Sequence, residues 1–300
     1  MSQTALPSPG ALRAQAQAWH QAGVPALVVQ VLHIQGSTPR EEGTRMLVNG
    51  DQLWGTIGGG HLEWQAIAQA RQALAEAGTG WQLVLPFDQR YPLGPTLGQC
   101  CGGVVVLRFQ ALDAQALAAW PATPARFHLE LHGAGHVGQA IVHLLRDLDC
   151  TVRWIDQRAD DTEAAEPSHS DPLLNDRTRL PSAALLATLP PHITWHPQDD
   201  PADAVRDAPA GACHLVLTHR HDLDLRIIEA VLRRGDFAFA GLIGSQTKRA
   251  RFLHRLEAAG LPPDTLARMT CPIGLPGLAG KEPAVIAVSV VAQLLQAFPP

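Results

Sequence analysis

Cys100 and Cys101 are adjacent thiols set between Gly98 on one side and Gly102 and Gly103 on the other. Adjacent cysteines close only a strained ring, far from relaxed disulfide geometry. Five cysteines in 300 residues, an odd count without even spacing, do not read as an oxidised secreted framework. Zinc would need a second pair of ligands, and Cys150, Cys213 and Cys271 stand singly. An inert buried thiol suits Cys150 and Cys213, each beside an apolar strand. Around Cys100 and Cys101 the bare glycine backbone instead lets a ligand come close. The pair is expected to be reactive or ligand-facing.

Several other segments are suited to an anion. Gly133-Ala134-Gly135-His136-Val137-Gly138 matches G-x-G-x-x-G at a strand-to-helix junction, where free helix-terminal N–H groups hold phosphate. Asp156 falls at the end of the next strand, where a ribose hydroxyl partner belongs. The pattern predicts a strand–turn–helix. It leaves open whether the turn holds a dinucleotide, another phosphate ligand or nothing, because such a turn also persists for packing. In "GLIGSQTKRARF", Ser245 reads as an N-cap, and Lys248 and Arg249 enter the first turns. Cations there oppose the helix dipole, a cost that a bound anion reverses, so the segment reads as a phosphate clamp ahead of a solvated face. "GSTPREEGTRM" puts Arg40 and Arg45 in a glycine- and proline-punctuated loop, either as anion contacts or as a charged surface hairpin. Gly58, Gly59 and Gly60 lead into a helix whose first turn holds His61 and Glu63, a run that fits a flat or anionic ligand, or a mobile turn.

"LTHRHDLDL" gathers His219, His221, Asp222 and Asp224 just past a strand. It partly resembles the H-x-H-x-D-H of metallo-β-lactamase-like hydrolases, but Asp222 comes one residue early and Leu223 and Asp224 replace the final pair. Polar lining at a strand's carboxyl end ranks above a metal site. "CPIGLPGLAGKEP" reads as a rigid loop before the last helix, with Cys271 facing a cleft or the core.

The elements that must position these residues fall into two groups. A helix over 11–22, the strand "PALVVQVLHI", a hairpin about Asn49-Gly50-Asp51, a helix opening at the triple glycine, and the strands "WQLVL" and "VVVLRF" make a small N-terminal α/β domain over 1–112. Residues 86–103 read as a Pro/Gly loop, and 113–125 as a short helix with a proline-bearing linker. From 126 to 300, strand and helix patterns alternate, which predicts a Rossmann-like parallel sheet. The ligand cleft is expected between the domains or at the sheet's carboxyl edge. The strand before the glycine turn alternates Leu129 and Leu131 with His128, Glu130 and His132, unusually polar for a central parallel strand. With 46% hydrophobic and 17% charged residues and a net charge of −5, nucleic acid and membrane partners are not expected. The start lacks a signal-peptide pattern and the most apolar segment, 284–295, is too short to span a bilayer, so a cytoplasmic location is expected.

Taken jointly, "GSTPREEGTRMLV", "GTIGGGHLEWQAI", "GQCCGGVV", "LHGAGHVGQAI", "GLIGSQTKRARF" and "CPIGLPGLAGKEPAVIAVSVVAQLL" resemble the xanthine dehydrogenase accessory protein family (XdhC/CoxI). The likeness runs in order from about residue 24 to the C-terminus, with 159–179 and 197–211 outside it. It implies a molybdenum cofactor chaperone without turnover of its own. Such a protein binds the pyranopterin cofactor, assists exchange of a molybdenum oxo ligand for sulfur with a cysteine desulfurase, and delivers the product to xanthine dehydrogenase or a related molybdenum hydroxylase. Self-association into a homo-oligomer is expected. On this reading Cys100 and Cys101 face molybdenum, a thiophilic metal, or hold sulfur in transit. The cofactor's phosphate then needs a cationic or helix N-terminal cradle among the segments named above. The turn at Gly133 holds either that phosphate or a separate nucleotide. The alternatives are an NAD(P)-dependent oxidoreductase, for which no Tyr-x-x-x-Lys pair stands out, and a metal-dependent hydrolase using His219 and His221.

Overall fold

The structure is a computed structural model, and it describes residues 7–77, 85–94, 102–157, 180–278 and 280–299. The chain divides into two compact units, residues 1–124 and 125–300.

In the N-terminal unit, α1 (Pro9–Gln21) starts at Ser8, whose hydroxyl caps the Ala11 N–H. There follow β1 (Leu27–Gln35), β2 (Arg45–Val48), β3 (Leu53–Gly55), α2 (Gly60–Ala77), β4 (Phe87–Pro92), β5 (Val104–Ala111) and α3 (Ala114–Ala118). The strands form an antiparallel sheet in the order β3-β2-β1-β5-β4. The Asn49 carboxamide oxygen accepts from the Asp51 and Gln52 N–H groups, which fixes the β2–β3 turn. β1 is central and buried on both faces. Leu27, Val29 and Val31 meet Leu62, Ala66 and Ala70 of α2, while Val28 meets Leu12, Ala16 and Trp19 of α1. The segment expected as a linker is packed here: Trp120 is buried with α1, and its carbonyl accepts from the Arg13 Nε–H.

One strand lies inside the stretch read as a loop. β4 pairs along β5 from Phe87↔Phe109 to Pro92↔Val104, anchored by Phe87 stacked on Phe109 at 4.8 Å and by buried Tyr91. Its other side chains are exposed, so it carries little apolar signal. Of the expected strand "WQLVL", residues 81–84 lie outside the described residues.

The C-terminal unit runs β6 (His128–His132), α4 (His136–Leu145), β7 (Thr151–Asp156), α5 (Ala183–Ala187), β8 (Ile193–Pro197), β9 (Cys213–Val216), α6 (His221–Arg234), β10 (Phe239–Leu242), α7 (Gln246–Ala258), α8 (Pro263–Ala267), β11 (Met269–Thr270) and α9 (Pro283–Ala297). Its sheet is parallel, in the order β11-β10-β9-β6-β7-β8. The chain steps outward from β6 to β8, then returns to place β9 beside β6 and continues the other way. The strand order therefore reverses between β6 and β9, where open α/β sheets bind ligands. Buried Ile141, Val142 and Leu145 of α4 and Val290 and Leu294 of α9 cover one face. Ile227, Ile228 and Val231 of α6 with Phe252 and Leu256 of α7 cover the other.

The polar alternation of β6 is met in part by side-chain partners. Glu130, with no exposed surface, accepts from Arg153 Nε at 2.7 Å and lies 2.7 Å from His128 Nε2. Arg153 also donates to the Ala204 carbonyl. Buried His132 and His214 stack at 5.7 Å, and among the described residues His132 Nδ1 has no hydrogen-bond partner. Burial lowers both imidazole pKa values, that of His132 far below its ordinary 6.5 and that of His214 to about 4.

Among the described residues no helix is long and apolar enough to cross a membrane.

Candidate functional site

Three glycine-bearing segments meet at one end of the N-terminal sheet. β1 ends at Gln35 opposite Val104, the first residue of β5, so the loop 36–42 leaves the sheet beside Gly102 and Gly103. Gly103 donates to the Ser37 carbonyl at 3.1 Å. A Cβ on Gly103 would fall 2.4 Å from the Ser37 oxygen and 2.5 Å from that of Gln35, so only glycine admits this backbone approach. On its other flank the same loop packs Pro39 onto Gly58, where a Cβ would lie 2.6 Å from the Pro39 ring.

In each pair the neighbouring glycine is open. A Cβ on Gly59 or on Gly102 would meet nothing within 4 Å. Glu63 shapes the turn from below: its carboxylate accepts from the Thr56 hydroxyl, the Ile57 N–H at 3.0 Å and the Gly59 N–H at 3.1 Å. It positions Gly59 and Gly60 and is spent on that task. His61 is exposed, hydrogen-bonded to Gln65, with its ring 5.6 Å from that of Trp64. Trp64 is 65% exposed, an uncommon placement for tryptophan. Arg40 stands exposed on loop 36–42, directly after Pro39 and on the Gly58 side.

Arg45 does not join this group. Its guanidinium donates to the Gly43 carbonyl and lies 5.0 Å over the Trp120 ring, and burial lowers its pKa. Its charge serves a cation–π contact within the unit. Cys100 and Cys101 lie outside the described residues, so what the structure adds is the anchoring of the backbone that follows them.

In the C-terminal unit, Gly133 to Gly138 form the strand-to-helix turn. Two of its glycines are there for packing. A Cβ on Gly133 (φ 122°) would sit 2.4 Å from the Leu217 oxygen, and one on Gly138 would sit 2.2 Å from that of Gly133. Gly135, the N-cap of α4, is open. Asp156 is buried, and its carboxylate accepts from the Ala134 N–H at 2.6 Å. The acid thus staples the turn from inside.

Ser245 caps α7 as expected, accepting from the Lys248 N–H. Lys248 turns inward. Its ammonium donates to Asp224 at 2.6 Å and to the Ile243 carbonyl at 2.8 Å, and Asp224 also accepts from the Thr218 N–H and hydroxyl. Two of the three lysine donors are used within the fold, which removes Lys248 from the expected clamp and leaves Arg249. Arg249 borders a cavity of about 670 Å³ beyond β10 and β11, together with Gln246, Cys271 and Lys281. Nothing in the sequence pattern tied Lys281 to Arg249; they lie 32 residues apart and meet through the loop after β11.

Asp222 pairs with Arg220, which lowers its pKa through their hydrogen bond. Among the described residues no group of three or more His, Cys, Asp or Glu side chains could hold a metal ion.

Comparison with known proteins agrees with this architecture. The XdhC Rossmann domain matches residues 129–294, and the XdhC and CoxI family matches residues 19–88. Over 277 residues the chain is 28% identical to the uncharacterized protein YqeB of Escherichia coli K12, covering 91% of this chain but 43% of that one. It therefore spans less than half the length of that relative. A Bacillus halodurans crystal structure described as a xanthine dehydrogenase superposes with a TM-score of 0.68 at 20% identity, over 97% of this chain and 95% of that one, a likeness of fold. With one domain match spanning more than half of the chain and a second in the N-terminal unit, the chain belongs to the XdhC and CoxI family.

Proposed function

We propose that the chain is a molybdenum cofactor chaperone for a xanthine dehydrogenase or a related molybdenum hydroxylase. Family membership points to xanthine dehydrogenase maturation. The finer reading is that the N-terminal unit holds the pyranopterin cofactor while a cysteine desulfurase supplies sulfur. The observation that carries it is the meeting of loop 36–42 with Gly58–Gly60 and Gly102–Gly103, next in sequence to the thiol pair.

The residues fit such a group. The open faces of Gly59 and Gly102 offer backbone to a flat ligand, Arg40 offers a cation, and Cys100 and Cys101 offer the soft donors that molybdenum prefers. When bound, the cofactor supplies the molybdenum–sulfur chemistry; the chain's own part is to orient it and keep the thiols beside it. A thiolate is the ligating form, so one of the two cysteines is expected to have a depressed pKa.

The test is co-expression of Cys-to-Ser variants of the full chain with the client enzyme, measuring bound molybdenum and client activation. Cys101→Ser is expected to keep the fold and abolish cofactor loading or delivery of the sulfurated form. Cys150→Ser, a buried core position, is expected to change little. A double variant at 100 and 101 that loads and delivers like the wild type would sink the proposal.

A further inference from the structure

We propose that the C-terminal unit carries a second, separate ligand site: the cavity bordered by Arg249 and Lys281, built for the phosphate monoester of a flat heterocycle. This does not depend on the reading given for the N-terminal unit.

The charge of the wall points to an anion. Arg249 and Lys281 line the cavity and, among the described residues, no aspartate or glutamate does, in a chain whose net charge is −5. Of the carboxylates in the surrounding segments, Asp224 is paired with Lys248 and Thr218, and that of Glu282, beside the wall, is held by the Lys281 N–H. Two helices also begin here. Gly244 and Gln246 at the start of α7, and Gly280 and Lys281 just before α9, belong to the wall. The N–H groups of a first helical turn have no intrahelical partner and carry partial positive charge. Each feature alone is commonplace. Their convergence on one acid-free cavity is what carries the argument.

The rest of the cavity sets the ligand's body. At about 670 Å³ it falls within the roughly 300–1,000 Å³ of small-molecule sites, far more than a lone oxyanion fills. Ile273 and Ile286 give it apolar walls suited to a ring system. It is also preformed. The loop after β11 is tied to α9 by the Gly274 N–H to Gln293 at 2.8 Å and the Leu275 N–H to the Ser289 hydroxyl at 2.7 Å. Cys271, at the carboxyl end of β11, lines the same cavity and reports on its occupancy.

A nucleotide and a pterin phosphate share this chemistry, so the experiment carries an arm for each. Full-length protein is titrated calorimetrically with GMP, with guanosine, and with the pterin cofactor released from a purified molybdoenzyme. Alkylation of each cysteine is followed in parallel by peptide mass spectrometry. GMP or the pterin is expected to bind and to slow Cys271 alkylation while leaving Cys150 and Cys213 unchanged, and the tighter of the two names the source. Guanosine, lacking the phosphate, is expected to bind about tenfold or more weakly than GMP. Arg249→Glu with Lys281→Glu should abolish binding at an unchanged melting temperature, and Arg249→Lys should keep part of it. Where Cys271 proves too slow to label, the calorimetric loss in the double variant decides. Binding of neither phosphate ester, or affinity that survives the double variant, overturns the proposal.

Discussion

Acidification should unfold the C-terminal unit in a pH window set by two histidines. His132 and His214 are buried on the polar face of β6 and β9, and desolvation holds both neutral in the fold. Around His214, Glu130 works against that shift, while Arg234, Arg153 and His128 reinforce it. In the unfolded chain both titrate near the ordinary 6.5. Between the folded and unfolded values the unfolded chain binds more protons, so stability falls as the pH falls. The loss begins near pH 6.5 and, for His214, is complete below about pH 4. At about 1.4 kcal/mol per pH unit, the drop from 6.5 to about 4 corresponds to roughly 3 kcal/mol from His214 alone. That is a large share of the 5–15 kcal/mol that holds a typical domain. Asp88 and Asp222, whose pKa values are lowered by their arginine partners, act only below their ordinary 3.8, outside this window. Hydrogen exchange along a urea series, read on peptides spanning β6 and β9 and corrected for the intrinsic pH dependence, isolates the C-terminal unit. The expected result is an unfolding midpoint that falls steeply from pH 6.5 to 4.5 in the wild type and about half as steeply in His214→Asn, where His132 still titrates. A midpoint flat across that range, or an equal fall in the variant, would refute the reasoning.

Lys248→Met should cost about 3–5 kcal/mol, because it strands the fully buried Asp224 carboxylate; adding Asp224→Asn should recover most of the loss in a double-mutant cycle by urea unfolding. Gly138→Ala should destabilise the C-terminal unit by about 1–3 kcal/mol or more, since its Cβ would lie 2.2 Å from the Gly133 oxygen, whereas Gly135→Ala points into open space and should cost only the weaker capping of alanine, about 1 kcal/mol or less. Gly103→Ala should displace loop 36–42 and lower molybdenum loading, and Gly102→Ala should leave the melting temperature unchanged.

Much of the fold was legible because its signals are local. The unit from β6 to β7 announced itself through helical spacing in α4 and the glycine turn, and the Asn49 turn and the Ser245 cap each depend on residues within three positions. β4 was missed because an edge strand with one buried side chain leaves no alternation to read. β8, also at a sheet edge, buries only Ile193. At the candidate sites, residue types were legible but their partners were not. Lys248 reads as part of a phosphate clamp until Asp224, 24 residues away, is seen to neutralise it. Glu130 reads as misplaced in a central strand until Arg153 from the neighbouring strand accounts for it. Such pairings are fixed by sheet order, which spacing along the chain does not encode.

The alternation of a packed glycine with an open one, at 58 and 59, at 103 and 102, and at 133 and 135, bears on the thermodynamics of anything that docks there. The packed member nails its neighbour's amide to the sheet, so the exposed backbone has little conformational freedom left to lose. A contact made by a long flexible side chain surrenders about 0.5–1.5 kcal/mol of rotamer entropy on binding, and one made by such an amide surrenders almost none. A ligand seated against this backbone should therefore bind with a small entropic penalty.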